Sequence, residues 1–123
     1  MRRIAELAAV LVLGLAAPAF ADDAAQHGDA IFKRTCFICH ATTPGMTKLG
    51  PSLAGVLGRK AGTLPGYTYS EAMKKAGLTW NESTLNTYLG DPRALVPGTK
   101  MTFVGLHEPA DRQAVIQYLA TLK

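Results

Sequence analysis

The chain has 123 residues, with 13 Lys and Arg against 9 Asp and Glu, so its formal net charge is +4. This length allows one small domain behind a targeting segment. So mild a positive excess argues against nucleic acid as a partner, because nucleic-acid-binding domains usually carry a dense basic stripe. It fits a protein partner with an acidic docking patch, which is approached by electrostatic steering.

The first 21 residues have the pattern of a secretory signal peptide. Arg2 and Arg3 precede an apolar run, and Ala19-Phe20-Ala21 has the A-x-A form of a cleavage site. The alternative is a retained membrane anchor, but the apolar stretch 7–21 has 15 residues, and a helix needs ~20 to span a bilayer. We therefore expect residues 1–21 to be removed and residues 22–123 to form one exported, periplasmic domain.

Two helices are predicted in the first half of this domain. The first covers residues 24–39 and places Phe32, Cys36 and Cys39 on one face, at positions i, i+4 and i+7. The second is short, with Ser70 as its N-cap, and it stops at Gly77.

Two further helices are predicted in the second half. Asn81 caps the third helix, which ends near Gly90 because Asp91-Pro92 forbids continuation. The last helix begins at Pro109. Its apolar stripe consists of Val115, Tyr118, Leu119 and Leu122.

The segment 42–69 is predicted to be irregular, because it carries six glycines and three prolines and shows no strand alternation. A structureless segment of this length counts against an ordinary compact domain. It becomes reasonable if the chain wraps a large group that is not protein. The expected fold is therefore all-α, with long loops around a bound cofactor.

The pentapeptide CFICH holds Cys36, Cys39 and His40. The pattern C-x-x-C-H is typical of c-type haem attachment, in which both thiols form thioethers with the haem and the histidine reaches the iron. Three alternatives remain: a plain disulfide, a thioredoxin-type redox pair, and a zinc site. A redox pair usually lies beside a strand, and none is predicted here. A structural zinc ion needs four ligands, and His27 and His107 lie in no zinc-type spacing.

The second axial ligand decides what a haem protein does, since an open position binds small ligands and a closed one passes electrons. A methionine opposite histidine raises the reduction potential. Met46 lies six residues after His40 and is too near to cross to the other face. Met73 falls within a helix, where core packing is the ordinary role. Met101 follows the turn at Pro97-Gly98, 61 residues after His40, and is the strongest candidate.

With these residues in place, the domain resembles the class I c-type cytochromes, in particular the mitochondrial-type branch and its soluble bacterial relatives. The resemblance covers residues 28–122. It is carried by four stretches in the family's order: GDAIFKRTCFICH, GPSLAGVLGRKAG, PGYTYSEAMKKAGLTW and YLGDPRALVPGTKMTF.

The resemblance implies one covalently attached haem c in a small cytochrome c fold. Cys36 and Cys39 would carry the thioethers, and His40 and Met101 would ligate the iron. The carbonyl of Pro51 would accept a hydrogen bond from His40 and fix its ring.

Five further residues gain a role through the resemblance. Tyr69 and Trp80 would donate to a haem propionate, and Arg59 would offset the propionate charge, because a buried carboxylate is costly unless it is paired. Tyr88 would approach the sulfur of Met101, and Thr99 would face the inner propionate.

The same resemblance has an implication for the packing of the helices, and the chain departs from the family's pattern at one position. Gly28 and Phe32 would pack against Val115 and Tyr118, where the terminal helices cross. Met73 stands where the family often has an asparagine, which removes a polar partner and leaves a second thioether near the haem.

The function implied is that of a soluble, monomeric periplasmic electron carrier, not an enzyme. It would shuttle electrons from a quinol–cytochrome c oxidoreductase to an oxidase or a photosynthetic reaction centre, docking on acidic surfaces of these redox partners. Five cations are candidates for its basic rim: Lys33, Lys48, Lys74, Lys100 and Arg93. The alternative is a small haem protein with a labile methionine and peroxidase-like or gas-binding activity.

Overall fold

The computed structural model describes residues 11–15 and 19–123. Within that part of the chain the regular elements are five α-helices, and there is no β-strand. They are α1 (Ala19–Thr35), α2 (Glu71–Lys75), α3 (Glu82–Gly90), α4 (Pro92–Leu95) and α5 (Pro109–Ala120). The all-α prediction is confirmed. Most of the predicted signal peptide, residues 1–21, lies outside the described residues, so its cleavage stays a prediction.

The two terminal helices, α1 and α5, cross in close contact. A Cβ atom at Gly28 would overlap the carbonyl oxygen of Ala114 and would lie 2.9 Å from the Cβ of Tyr118. Beside this crossing the rings of Phe32 and Tyr118 lie 5.3 Å apart, and Phe32 and Val115 are fully buried. The backbones therefore approach as closely as glycine allows, as the resemblance implies.

The predicted end of the first helix was wrong. The helix was expected to reach Cys39, but α1 ends at Thr35 and residues 36–39 form a turn. The reason is a change of hydrogen-bond register: the N–H of Phe37 donates to the carbonyl of Phe32, five residues back, at 2.9 Å. The N–H groups of Cys39 and His40 then share the carbonyl of Cys36. The cysteines consequently stand on a tight turn at the foot of the helix.

The helices α2 and α3 begin at the predicted caps. The hydroxyl of Ser70 accepts from the N–H of Met73 at 3.1 Å. The side chain of Asn81 accepts from the N–H of Thr84, whose hydroxyl in turn accepts from the N–H of Asn81, which forms a complete capping box. Gly77 follows α2 with a φ of +68°, a conformation that favours glycine.

The short helix α4 was not predicted. The sequence indicates Asp91 and Pro92 only as a stop for α3, but the same pair starts α4. The carboxylate of Asp91 accepts from the N–H of Ala94 at 3.2 Å, and Pro92 occupies the first turn. A proline that ends one helix is well suited to begin the next, since its φ is already helical.

The segment 42–69 contains no helix or strand, as predicted. One antiparallel bridge between Lys60 and Thr79 ties this part of the chain to the start of α3. None of the helices in residues 11–15 and 19–123 combines the length and the apolar character that a membrane-crossing helix needs.

Candidate functional site

The helices and the irregular segment enclose a cavity of about 860 Å³. Its volume lies in the upper part of the range of small-molecule and cofactor sites. All ten residues predicted from the sequence line its wall: Cys36, Cys39, His40, Pro51, Arg59, Tyr69, Trp80, Tyr88, Thr99 and Met101. The fold therefore brings to one cavity residues that lie up to 65 positions apart in the chain.

The ring of His40 is held in one tautomer. Its Nδ1 lies 2.8 Å from the carbonyl oxygen of Pro51. A carbonyl oxygen only accepts, so Nδ1 carries the hydrogen and donates, and Nε2 keeps a free lone pair. Burial lowers the pKa of His40; the bond to Pro51 opposes this, and the positive charges of Arg59 and Lys48 add to it. The imidazole is therefore neutral near pH 7 and suited to bind a metal ion through Nε2.

Gly50 is a second determinant of the ring's position, and sequence reasoning counted it only as a loop residue. A Cβ atom there would lie 2.6 Å from Cε1 and 2.9 Å from Nδ1 of His40. The N–H of Gly50 also donates to the carbonyl of Cys39 at 2.7 Å. The only sequence signal was its position directly before Pro51. These contacts lock the imidazole and the cysteine turn together.

The cysteines do not have the properties of a redox pair. Burial raises the pKa of Cys36 to about 11, and the neighbouring Cys39 adds to the effect. Thiol–disulfide exchange needs a thiolate, which reactive C-x-x-C pairs obtain by lowering a thiol pKa. Within residues 11–15 and 19–123, no three His, Cys, Asp or Glu side chains are grouped so that they could hold a metal ion. The site therefore favours neither the thioredoxin-type nor the zinc alternative.

Two thioethers, not one, lie on the cavity wall. Met73 on α2 and Met101 on the segment between α4 and α5 both line it. Met46 is 51% exposed and lies away from the wall, in line with its rejection as a ligand. Met73 is 9% exposed and belongs to the hydrophobic core. Either sulfur is a soft donor of the kind that haem iron accepts.

The polar groups next to Met101 bond to one another. The hydroxyls of Tyr88 and Thr99 lie 2.7 Å apart, and the N–H of Met101 donates to the same Thr99 oxygen at 3.4 Å. Burial raises the pKa of Tyr88, against the opposing effect of the Thr99 bond. Tyr88 is therefore linked to Met101 through Thr99, which connects α3 to the methionine segment.

Arg59, which also lines the cavity, has no counter-ion among the described residues. Arg59 donates to the carbonyls of Ser52 at 3.0 Å and Ala54 at 3.3 Å. Burial lowers its pKa, and nearby Tyr69 raises it. The hydroxyl of Tyr69 accepts from the N–H of Leu64 at 3.3 Å, which leaves its own proton for another acceptor. An anionic group in the cavity would satisfy both side chains.

The residues present fit a covalently held haem. The cysteine turn supplies two thiols, His40 supplies a bare ring nitrogen, and the methionines supply thioethers. Arg59 and Tyr69 suit acidic substituents. The remaining wall is apolar and includes Phe32, Leu53, Val56, Leu85, Leu89, Val115 and Leu119.

Comparison with known proteins gives a consistent picture. A family model described as Cytochrome c matches residues 25–123. The chain is 49% identical over 120 residues to "Cytochrome c2" of Rhodomicrobium vannielii, covering 97% of this chain and 94% of that relative. It is 54% identical over 88 residues to "Cytochrome c2 iso-2" of Magnetospirillum molischianum, covering 72% and 91%. Among solved structures, cytochrome cH from Methylobacterium extorquens matches with a TM-score of 0.74 and 43% identity, covering 79% of this chain and 97% of that one.

Proposed function

The chain belongs to the cytochrome c family, whose members carry one covalently bound haem c and transfer electrons, and we propose that it is a one-electron carrier in which His40 and Met101 would ligate the iron. Cys36 and Cys39 would hold the haem through thioethers. The observation that carries the proposal is the hydrogen bond from His40 to Pro51, because it leaves Nε2 bare on the wall of a haem-sized cavity.

When bound, the haem supplies an iron that gains and loses one electron. The protein sets the energy of that change. The thioether of Met101, as a ligand together with His40, would favour the reduced iron, and an apolar wall that excludes water would favour the state of lower net charge. Arg59, Tyr69 and Trp80 would hold the propionates, whose charge would give Arg59 a counter-ion. The protein makes and breaks no substrate bond.

Cys39 and Phe103 line the cavity, and the proposed exit for electrons would lie near these two residues. We expect partners to dock there with acidic surfaces, because a basic rim speeds encounter. Two rim lysines are paired on their own helices, Lys33 with Asp29 at 3.0 Å and Lys74 with Glu71 at 3.2 Å. The rim is therefore weaker than the sequence predicts, which suits brief docking.

Two more rim lysines are held by backbone. Lys48 donates to the carbonyl of Phe37 and lies over its ring, 3.9 Å from the centroid. Lys100 donates to the carbonyl of Thr68 at 2.7 Å.

The proposed partners are a quinol–cytochrome c oxidoreductase as donor and an oxidase or a photosynthetic reaction centre as acceptor. The protein would meet them in the periplasm as a monomer.

The alternative function needs an accessible sixth position and an acid–base side chain beside it. His107, six residues after Met101 in the chain, is a candidate for that side chain. It is exposed and lies away from the cavity wall, so no observation favours peroxidase chemistry over electron transfer.

An absorption spectrum of the purified protein, reduced with dithionite and recorded with and without carbon monoxide, tests the proposal. We expect the bands of six-coordinate low-spin haem and no change with carbon monoxide at neutral pH. A rapid Soret shift would show that the sixth position is open and would overturn the electron-carrier assignment.

A further inference from the structure

The segment 96–108 between α4 and α5 carries Met101, and it is attached to the last turn of α3 on both sides of that residue. Before Met101, Thr99 bonds to the hydroxyl of Tyr88. After it, the N–H of Leu106 donates to the carbonyl of Leu89 at 2.7 Å. Tyr88 and Leu89 are consecutive in α3 and both line the cavity. The position of Met101 is thus fixed between two anchors on one helix.

The second anchor is unusually tight. Gly105 is buried with a φ of +116°, and a Cβ atom there would overlap the carbonyl oxygen of Gly90. No hydrogen bond from residues 102–105 to the described chain is present, so the stretch after Met101 depends on what holds Leu106.

Arg112 of α5 strengthens this second anchor with hydrogen bonds made outside the cavity. Its Nη1 donates to the carbonyls of Leu106 at 2.8 Å and His107 at 3.0 Å. Its Nε donates to the side-chain oxygen of Asn86, on α3, at 2.9 Å. One planar guanidinium therefore joins α5, α3 and the base of the methionine segment, and Arg112 is not among the residues that line the cavity.

We propose that Arg112 is a positioning residue for the sixth ligand: its fork of hydrogen bonds holds the base of segment 96–108 on α3 and thereby sets how often Met101 leaves the iron. The proposal rests on the proposed function, since it takes Met101 as the ligand. The geometry of the fork, rather than its charge, carries the effect, because all three acceptors are neutral oxygens. A lysine keeps the charge but cannot reproduce the fork.

The test compares the haem-loaded wild-type protein with Arg112→Lys and with Ile116→Val. Ile116 lies on the same helix, is 1% exposed and is absent from the cavity wall, so its variant controls for general loss of stability. The probe is the rate at which imidazole binds to the oxidised protein, which is limited by release of the methionine. We expect a rate roughly tenfold higher in Arg112→Lys, the factor that follows from losing about one net hydrogen bond in the closed state. The resting spectrum should be unchanged.

An equal rate in all three proteins, or an equal rise in both variants, would overturn the inference. Amide hydrogen exchange at Leu106 gives a readout without added ligand, and it should accelerate only in Arg112→Lys. Should that variant fail to take up haem, Asn86→Ala removes one bond of the fork and is expected to give a smaller rise. If the sixth position is already open in the wild-type protein, the proposed function is wrong, whatever the role of Arg112. Selective exchange at Leu106 would then show that Arg112 anchors the segment without acting on a ligand.

Discussion

Gly50 packs against the imidazole of His40 so closely that no side chain fits between its backbone and the ring. The carbonyl of Pro51, the next residue, receives the hydrogen of Nδ1. Two consecutive residues thus set the ring's plane and its tautomer.

The first prediction concerns this contact. In Gly50→Ala, a methyl group 2.6 Å from Cε1 must push the ring away from Pro51. We expect a loss of about 1–3 kcal/mol of stability from overpacking, with altered haem bands. Gly77→Ala is the control for backbone strain without a steric clash, because its Cβ meets open space and its φ is +68°, whereas the φ of Gly50 is not positive. It should cost about 1–2 kcal/mol from backbone strain alone and leave the spectrum intact. Denaturant unfolding and visible spectra check both, and an unchanged spectrum in Gly50→Ala would refute the role given to it.

The second prediction separates the two thioethers on the cavity wall. Met101→Ala should open the sixth position, so that carbon monoxide binds to the reduced protein and the reduction potential falls. Met73→Leu should cost less than about 1.5 kcal/mol of stability, as volume-conserving core exchanges do, and should stay closed to carbon monoxide. Spectra and potentiometric titration measure both. Carbon monoxide binding to the Met73 variant alone would assign the ligand to Met73 instead.

The third prediction concerns the crossing of α1 and α5. Alanine usually stabilises a helix by about 1 kcal/mol over glycine, but in Gly28→Ala the added carbon overlaps the backbone of Ala114, which cannot move aside without parting the helices. We expect a net loss of about 2 kcal/mol in guanidinium unfolding. Ala30→Gly, an exposed change on the same helix, should cost about 1 kcal/mol from propensity alone. A Gly28→Ala protein as stable as the wild type would disprove the close approach.

The fourth prediction concerns alkaline pH. Burial raises the pKa of Tyr118, and the negative charge of Asp29 raises it further. The unfolded chain loses this proton near pH 10 while the folded protein still holds it, so the stability that Tyr118 contributes is present below pH 10 and is lost as the pH rises further.

Tyr118→Phe keeps the ring against Phe32 and removes the titration. We expect its unfolding midpoint to fall less than that of the wild-type protein between about pH 9 and pH 11. The raised pKa of Tyr88 is common to both proteins and cancels in the comparison. Parallel pH profiles would rule out Tyr118 as the source.

Local signals made α2, α3 and α5 predictable. Ser70 and Asn81 accept hydrogen bonds from residues three positions on, and Pro109 occupies the first turn of its helix. Such caps can be recognised from a few neighbouring letters. The end of α1 could not be recognised in this way, since it depends on one backbone bond from Phe37 that skips a residue. α4 was missed because Asp91 and Pro92 serve two helices at once.

The residues of the site likewise divide into those that a sequence pattern indicates and those that no pattern indicates. The cysteine turn and the residues around it have spacings that the sequence displays, and all ten predicted residues line the cavity. Gly50 and Arg112 were missed because what they contact leaves no pattern in the sequence. Gly50 is important because it has no side chain to displace the ring of His40. Two of the three acceptors of Arg112 are backbone carbonyls, which every residue possesses.

The two proposed ligands, His40 and Met101, are held in place by different kinds of contact, and this has an evolutionary consequence. His40 is fixed by the carbonyl of Pro51 and the bare backbone of Gly50, where any added side chain would displace the ring, so this side allows little graded change. Met101 is fixed through the side chains of Tyr88, Thr99 and Arg112. Single codon changes can loosen or tighten that side by degrees. Heritable variation in redox properties should therefore accumulate on the methionine side, while the histidine side passes almost unaltered from ancestor to descendant.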